Sequence, residues 1–465
     1  MIKIFGNPIS WMLCLLFVSL FVACQQENEK LSSDPNISLR FSSDTIHFDT
    51  IFTTVGSITK RLTVYNKSNN AVNISSIALG DGPNSAYSIY LNGIKGKQFE
   101  NQQLMGMDSL LLLVEVKIDP SGADLPFLVI DSIRFLTNGN LQDIKLQSWG
   151  QDAYFMGKTI LPCDTTWTSK KPIVLLDSVL VPESCSLTIS EGTKIYARPS
   201  SALLVAGSLL INGTVENPVK FTNDRLDIEN AYGQWGGIIF LMTSNNNIIN
   251  HSHIRNSIYG IYIGTPDEDN EPDLVLSNVI IENAAVAGLV AYNSDVHATN
   301  ILINNCGEFT LANLAGGNYY YNHCTFDNSF AGINIPRNSP SVVITNYIQT
   351  NDLDIKEELN FEIHNSIIYG NLKDELLLDS HQDVPFNLLV NHSLLKTSLI
   401  SLDINNNILN QPPKYINFHL YDYRPAEESP VIDKGDVNYK IFIDLAGNDR
   451  DELPDIGAYE FILTE

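Results

Sequence analysis

Between residues 248 and 395 an Asn or His recurs just ahead of a short apolar run, at His251, Asn278, Asn300, His323, Asn346, Asn365 and His392. The intervals are 27, 22, 23, 23, 19 and 27 residues. A repeat of this length marks a solenoid, because one unit cannot bury its apolar face alone and must stack on copies of itself. Three residues after the polar position stand Ile254, Ile281, Ile303, Phe326, Gln349, Ile368 and Leu395, six of them large and apolar. One residue after it stand Ser252, Val279, Ile301, Cys324, Tyr347, Ser366 and Ser393. Strand side chains alternate, so these two columns share a face. That face is expected to line the lumen of a parallel β-helix. Tyr347 and Gln349 interrupt the pattern in one coil.

The texture differs before the repeat. Alternating runs at 45–50, 60–65, 72–79, 86–91, 110–118, 127–136 and 141–149 are separated by turn clusters such as Thr137-Asn138-Gly139-Asn140. Seven strands in so short a stretch predict an immunoglobulin-like β-sandwich over 38–152. Residues 158–221 are expected to hold the first coils of a β-helix extending over 158–415. The fold class is therefore all-β, a sandwich followed by a right-handed parallel β-helix, with a C-terminal cap over 416–465. Cys163 and Cys185 are one coil length apart, so they are expected on adjacent coils within disulfide reach. Cys306 and Cys324 fall out of register and are expected as separate thiols.

Net charge is −25, from 28 Lys+Arg against 53 Asp+Glu. So acidic a chain repels nucleic acid and anionic surfaces. At the N-terminus Lys3 precedes an apolar run from Trp11 to Ala23, too short to span a bilayer but suited to a signal peptide, assigned to residues 1–23. Leu20-Phe21-Val22-Ala23-Cys24 resembles a bacterial lipobox, which implies lipidation of Cys24 and partnership with a membrane. Gln25-Gln26-Glu27-Asn28-Glu29 is similar to the export signal of Bacteroidetes-type surface lipoproteins. This resemblance implies a cell-surface location on the outer membrane, with 24–37 as a flexible tether.

Three further resemblances follow. Phe48-Asp49-Thr50-Ile51-Phe52, Val64-Tyr65-Asn66 and Asn138-Gly139 resemble abnormal-spindle/hydin-related sandwiches. Gly233-Gln234-Trp235-Gly236-Gly237 resembles a corner motif of bacterial right-handed β-helix (pectin-lyase-like) proteins, where glycines permit a sharp bend. Ser429-Pro430-Val431-Ile432-Asp433-Lys434-Gly435, Asp444 to Arg450 and Pro454 to Glu460 resemble the terminal segment of choice-of-anchor Q surface proteins. Such a segment is expected to cover the open edge of the last coil, with Arg450 ion-paired among Asp433, Asp444, Asp455 and Glu460.

Candidate chemistry is sparse. Within a strand, the Asn/His column would point outward as a row for sugar hydroxyls; at a coil corner it forms an internal ladder satisfying backbone groups. The ladder is the favoured expectation. Acidic residues Asp267, Asp269 and Asp273 are weak candidate Ca²⁺ ligands, with a solvated loop as the favoured expectation. No cofactor is otherwise implied. A polysaccharide is the candidate ligand, with Tyr259, Tyr262, Tyr292 and Tyr319 to Tyr321 as stacking residues. A lyase would need a base from Arg255, Arg337, Lys356 or Lys373. A hydrolase would need two carboxyls, such as Glu282 and Asp327, two coils apart. The reading is a lipid-anchored cell-surface protein with a non-catalytic role, in glycan or surface binding or in structure, with a polysaccharide lyase or glycoside hydrolase acting on a complex glycan as the alternative.

Overall fold

The computed structural model describes residues 30–225, 230–264, 271–329, 337–350 and 354–463. The signal segment, Cys24, Asp267 and Asp269 lie outside them. The chain divides into two compact units, residues 1–151 and 152–465.

The first unit is a sandwich of a six-stranded and a five-stranded sheet. All seven expected runs are strands, for example Lys60–Tyr65, Ser109–Val116 and Phe127–Thr137. Their alternate residues, among them Leu62, Val64, Ile74, Ile89, Leu112, Val114, Ile133 and Phe135, form the shared core. A further strand, Gln98–Leu104, has the sequence QFENQQL and carries no apolar alternation. It forms by pairing with Ala71–Leu79. Residues 31–37, expected as tether, belong instead to the fold. Leu31–Ser32 pairs in parallel with Ala71 and Val72, and Asn138 Nδ2 donates to the Asp34 carbonyl at 3.0 Å.

In the second unit 25 strands hydrogen-bond into one wall with parallel pairings throughout. It begins at Tyr154–Met156, earlier than expected, and ends at Ile408–Leu409. Each coil contributes in turn to three faces. The first sheet runs through Val179–Val181, Leu203–Val205, Ile238–Phe240, Tyr259–Ile263 and on to Leu376–Asp379. The second runs through Thr165–Trp167, Ser186–Ser190 and Ser208–Asn212 to Leu359–His364 and Phe386–Asn391. The third runs through Ile173–Leu175 and Lys194–Ala197 to Leu302–Asn304, Thr325–Asn328 and Ile367–Gly370. Ile254, Ile281, Ile303, Phe326, Ile368 and Leu395 stack in the lumen, each buried. Burying an aliphatic side chain of this size contributes about 1.5–3 kcal/mol.

The turn from second to third sheet is a single residue. His251, Asn278, Asn300, His323, Asn365 and His392 occupy it, with φ between 43° and 57°. This left-handed conformation is one that Asn and His tolerate better than β-branched residues do, which explains the residue types. Asn346 is not a rung. Asn322 pairs with His364 across the next coil, so Asn365 follows His323 directly. Between them the chain inserts the hairpin of Tyr347–Gln349 and Asp354–Lys356. Asn346 instead staples that hairpin's neighbourhood, accepting from the His381 backbone N–H at 2.7 Å and donating to the Val384 carbonyl at 3.1 Å. The equal spacing that suggested a separate coil arose from this insertion.

The Gly-Gln-Trp-Gly-Gly segment turns a corner. A side chain on Gly237 (φ +115°) would place Cβ 1.9 Å from the Tyr259 carbonyl oxygen. Trp235 is buried, stacked on Phe221, and its Nε1 donates to the Arg255 carbonyl at 2.8 Å. Cys163 and Cys185 lie on adjacent coils with Cα atoms 4.6 Å apart and form a disulfide. Cys306 and Cys324 are buried free thiols, both pushed up to about 12 by burial.

The C-terminal segment does not sit over the last coil. That end is closed by residues 396–410, with Leu402 inserted into the lumen core and Asn407 Nδ2 donating to the Val390 carbonyl at 3.0 Å. Residues 415–461, which we term the strap, run back along the flank over the third sheet. One outward column of that sheet supplies apolar residues beneath it. Ile280 and Leu302 pack on Tyr415, Tyr423 and Leu445, while Ile367 and Leu394 pack on Val431 and Ile456.

Candidate functional site

The corner column forms a rail in two hydrogen-bonded runs, His251 to Asn300 and His323 to Asn365, and the strap is docked on it. Asn278 Nδ2 donates to His251 Nε2 at 3.3 Å, Asn300 Nδ2 to Asn278 Oδ1 at 3.2 Å, and Asn365 Nδ2 to His323 Nε2 at 3.0 Å. At Asn300, His323 and Asn365 further valences are taken by the strap. Asn300 receives Arg450 Nη2 at 3.2 Å and donates to the Ile443 carbonyl at 2.6 Å. Asn365 Oδ1 accepts from the Asp436 backbone N–H at 2.6 Å. His323 Nδ1 lies 3.3 Å from the Gly457 carbonyl, so this nitrogen carries the proton and Nε2 accepts. Burial, together with the nearby Arg450 guanidinium, holds His323 well below the usual imidazole range. From Asn300 to Asn365 these residues contact the chain's own C-terminus.

A second ladder lies five residues further along each coil. Asn256, Asn283 and Asn305 have φ between 52° and 63°. Asn256 Nδ2 donates to Asn223 Oδ1 at 2.7 Å and Asn283 Nδ2 to Asn256 Oδ1 at 3.2 Å. The recurrence of Asn at this offset was available in the sequence as its signal.

Arg450 anchors the strap. Its side chain is buried and pairs with Glu460 at 3.0 Å. Glu460 also accepts from the backbone N–H groups of Asp451 and Asp455. Asp455 accepts from Asp433 and Phe461 N–H groups, and burial pushes its carboxyl up to about 7. Asp444 accepts from the Ala446, Asn448 and Glu460 N–H groups.

The two carboxyls considered for hydrolysis lie under this strap. Glu282, Asn304 and Asp327 are consecutive rungs of the third sheet's outward face, and all three are buried. Glu282 is held at 2.8 Å by His253 and at 3.0 Å by Arg255. Burial alone would raise its pKa, but the contacts with His253, Arg255 and the Asn304 amide outweigh that and lower it. Asp327 accepts from the Ser329 N–H at 2.6 Å, and its Oδ2 lies beside the Tyr415 hydroxyl, contacts that lower its pKa less than burial raises it. Burial therefore lifts its carboxyl above the usual range. Of the four candidate bases, Arg255 pairs with Glu282, Arg337 with Glu375 and Lys356 with Asp383.

Asp273 is buried, and its carboxylate accepts from the Asp295 N–H at 2.8 Å. Among the described residues, no group of three or more His, Cys, Asp or Glu is placed to hold a metal ion.

The six tyrosines do not form one face. Tyr319 and Tyr321 point into the lumen, where Tyr319 donates to the Gly316 carbonyl and Tyr321 pairs with Asn313. Alternation along the strand sends only Tyr320 outward. Tyr259 and Tyr262 pack edge to face at 5.8 Å on the first sheet, beside Ala287, Val290 and Ala312. Tyr292 is half-buried.

The outward face of the second sheet carries a polar array, half-buried at Asp295, Asn318 and Asn360 and exposed at Asn387. Asn318 Nδ2 donates to Asp295 Oδ1, Asn360 Nδ2 to Asn318 Oδ1, and Asn387 Nδ2 to Asn360 Oδ1, each at 2.8 Å. Each inner amide spends one N–H and one oxygen lone pair on its neighbours and retains others. In the next column His297, Tyr320 and Glu362 are in register across three coils. His297 and Tyr320 rings lie 5.6 Å apart, and Tyr320 lies 5.7 Å from His364. His364 is buried against Tyr439 of the strap, rings stacked at 3.6 Å, with neither ring nitrogen hydrogen-bonded. Burial holds both histidines below the usual imidazole range.

Residues 158–289 match the family model described as a pectate-lyase like beta helix domain. Among solved structures, pectate lyase Pel9A is 10% identical, with 66% of this chain and 88% of that chain covered and a TM-score of 0.27. The PapD-like ASH domain of human CEP192 is 10% identical over 28% of this chain and 94% of that one, TM-score 0.17. The VesB protease of Vibrio cholerae is 11% identical over 24% of this chain, TM-score 0.17, and the chain spans only 31% of its length. Likenesses this distant say nothing about activity. No curated protein matches the chain. The protein is all-β, with a sandwich followed by a pectate-lyase-like parallel β-helix domain.

Proposed function

We propose that this protein is a lipid-anchored protein of the outer-membrane surface whose β-helix presents a non-catalytic glycan-binding face. The observation that carries the reading is the outward row Asp295, Asn318, Asn360 and Asn387 beside the half-buried ring of Tyr320. Free amide valences recurring at about 4.8 Å per coil suit the hydroxyls of an extended sugar chain, and an aromatic ring suits a pyranose face. The alternative, a polysaccharide lyase or glycoside hydrolase, is left with Glu282 and Asp327, which are closed beneath the strap.

The test is retention of residues 25–465 on a panel of immobilised polysaccharides, with product release followed on the same panel. Tyr320→Ala and Asn360→Ala are expected to abolish retention without shifting the melting temperature. Product release from any member of the panel would install the enzymatic reading instead. Anchoring rests on Cys24: Cys24→Ser is expected to move the full chain from the detergent phase to the aqueous phase. Among the described residues no helix is long and apolar enough to cross a membrane.

A further inference from the structure

We infer that the ligand of the second-sheet face is a polysaccharide free of acidic groups, laid along the helix axis. This rests on the glycan-binding reading and specifies its substrate class. The axis follows from register, because Asp295, Asn318, Asn360 and Asn387 belong to successive coils and form one line. The class follows from charge. The strand segments 294–299, 317–322, 359–364 and 386–391 contain Asp295 and Glu362 and no Lys or Arg. Glu362 is exposed, and Glu358 reaches the end of the row, accepting from Asn387 at 3.3 Å.

The cations bordering the face are engaged elsewhere. Lys356 of the adjoining hairpin pairs with Asp383 at 3.1 Å. Lys440 of the strap lies over the Phe442 ring. A polyuronate or sulfated chain laid on this line would set its charges against Asp295 and Glu362, and the four strand segments hold no Lys or Arg to neutralise the ligand, on a chain whose net charge is already −25. Neutral sugars meet the same amides without that repulsion.

The experiment is affinity electrophoresis of residues 25–465 in gels containing a neutral β-glucan, a neutral galactomannan or polygalacturonate, at low and high salt. Retardation by a neutral polymer with none by polygalacturonate at either salt is expected. The variant Glu362→Lys places a cation on the exposed rung and is expected to gain polygalacturonate retardation of about threefold or more at low salt, lost at high salt. Retardation of the parent by polygalacturonate at low salt, equal to or above that by the neutral polymers, would overturn the inference while leaving glycan binding intact. Absence of retardation by all three polymers, or retardation that Tyr320→Ala leaves unchanged, would overturn the face itself and the inference with it.

Discussion

Arg450→Met removes the one guanidinium that ties the strap both to itself and to the rail. The change keeps most of the side-chain volume, so lost packing is small. What disappears is the ion pair with Glu460 at 3.0 Å and the bonds to Asn300 Oδ1 and the Gly457 carbonyl at 3.2 and 3.0 Å. Both partners of the pair are buried, at 0% and 3% side-chain exposure, so Glu460 is left as a carboxylate without a cation. Removing one member of a buried pair costs about 3–5 kcal/mol. Because the strap packs on the third sheet rather than contributing strands to the coils, the cost is expected to appear as local opening of the strap. Hydrogen exchange at Leu445 and Gly457, whose N–H groups bond to Ala458 and Asn365 carbonyls, is then expected to accelerate on the order of 10²–10³-fold, since each 1.4 kcal/mol is a factor of ten. Lumen amides such as those around Ile281 and Ile303 are expected to keep their parent rates. Adding Glu460→Gln removes the orphaned charge and is expected to restore part of the protection. Unchanged exchange in the strap, or an equal rise throughout the coils, would refute the assignment of Arg450 as the strap's anchor.

Three other outcomes follow from the same geometry. Ile281→Asp or Ile303→Asp puts a carboxylate into a fully buried lumen position, and a cost of several kcal/mol is expected in the denaturation midpoint; a midpoint that stays in place for both would show the lumen register to be mistaken. Replacing Cys163 and Cys185 together by Ser opens the crosslink between the first coils and is expected to cost roughly 2–4 kcal/mol, read as faster proteolysis confined to the start of the β-helix. Burial lifts the Asp327 carboxyl, so the folded chain holds that proton more tightly than the unfolded chain, and stability is lost as pH rises through the raised pKa. Asp327→Asn is therefore expected to be close to neutral near about pH 4 and stabilising near about pH 8 in thermal melts, and an equal loss at both values would contradict this.

Much of the solenoid was legible before any coordinates. Apolar residues one and three positions after a turn residue can only share a face if the segment is a strand, and their recurrence at coil length leaves stacking as the way to bury them. The corner residues carried their own signature, because a one-residue left-handed turn selects Asn and His. The false rung, Asn346, shows the limit of spacing. An inserted hairpin restored the interval by coincidence, and only the pairing of Asn322 with His364 reveals that no coil lies between.

What the sequence by itself determined is local and periodic: the strands, the coil length, the lumen column and the cysteine register. What only the tertiary structure decided is where the non-repeating parts go. The strap's motif was recognisable, but its docking along the flank depends on Ile280, Leu302, Ile367 and Leu394, which lie on different coils and gather into one apolar strip only after stacking. The same holds for the outward row Asp295, Asn318, Asn360 and Asn387, whose members are 23, 42 and 27 residues apart along the chain. No fixed period joins them, because the hairpin lengthens one coil. They become a line because parallel pairing brings each strand about 4.8 Å from the last, whatever length of chain lies between.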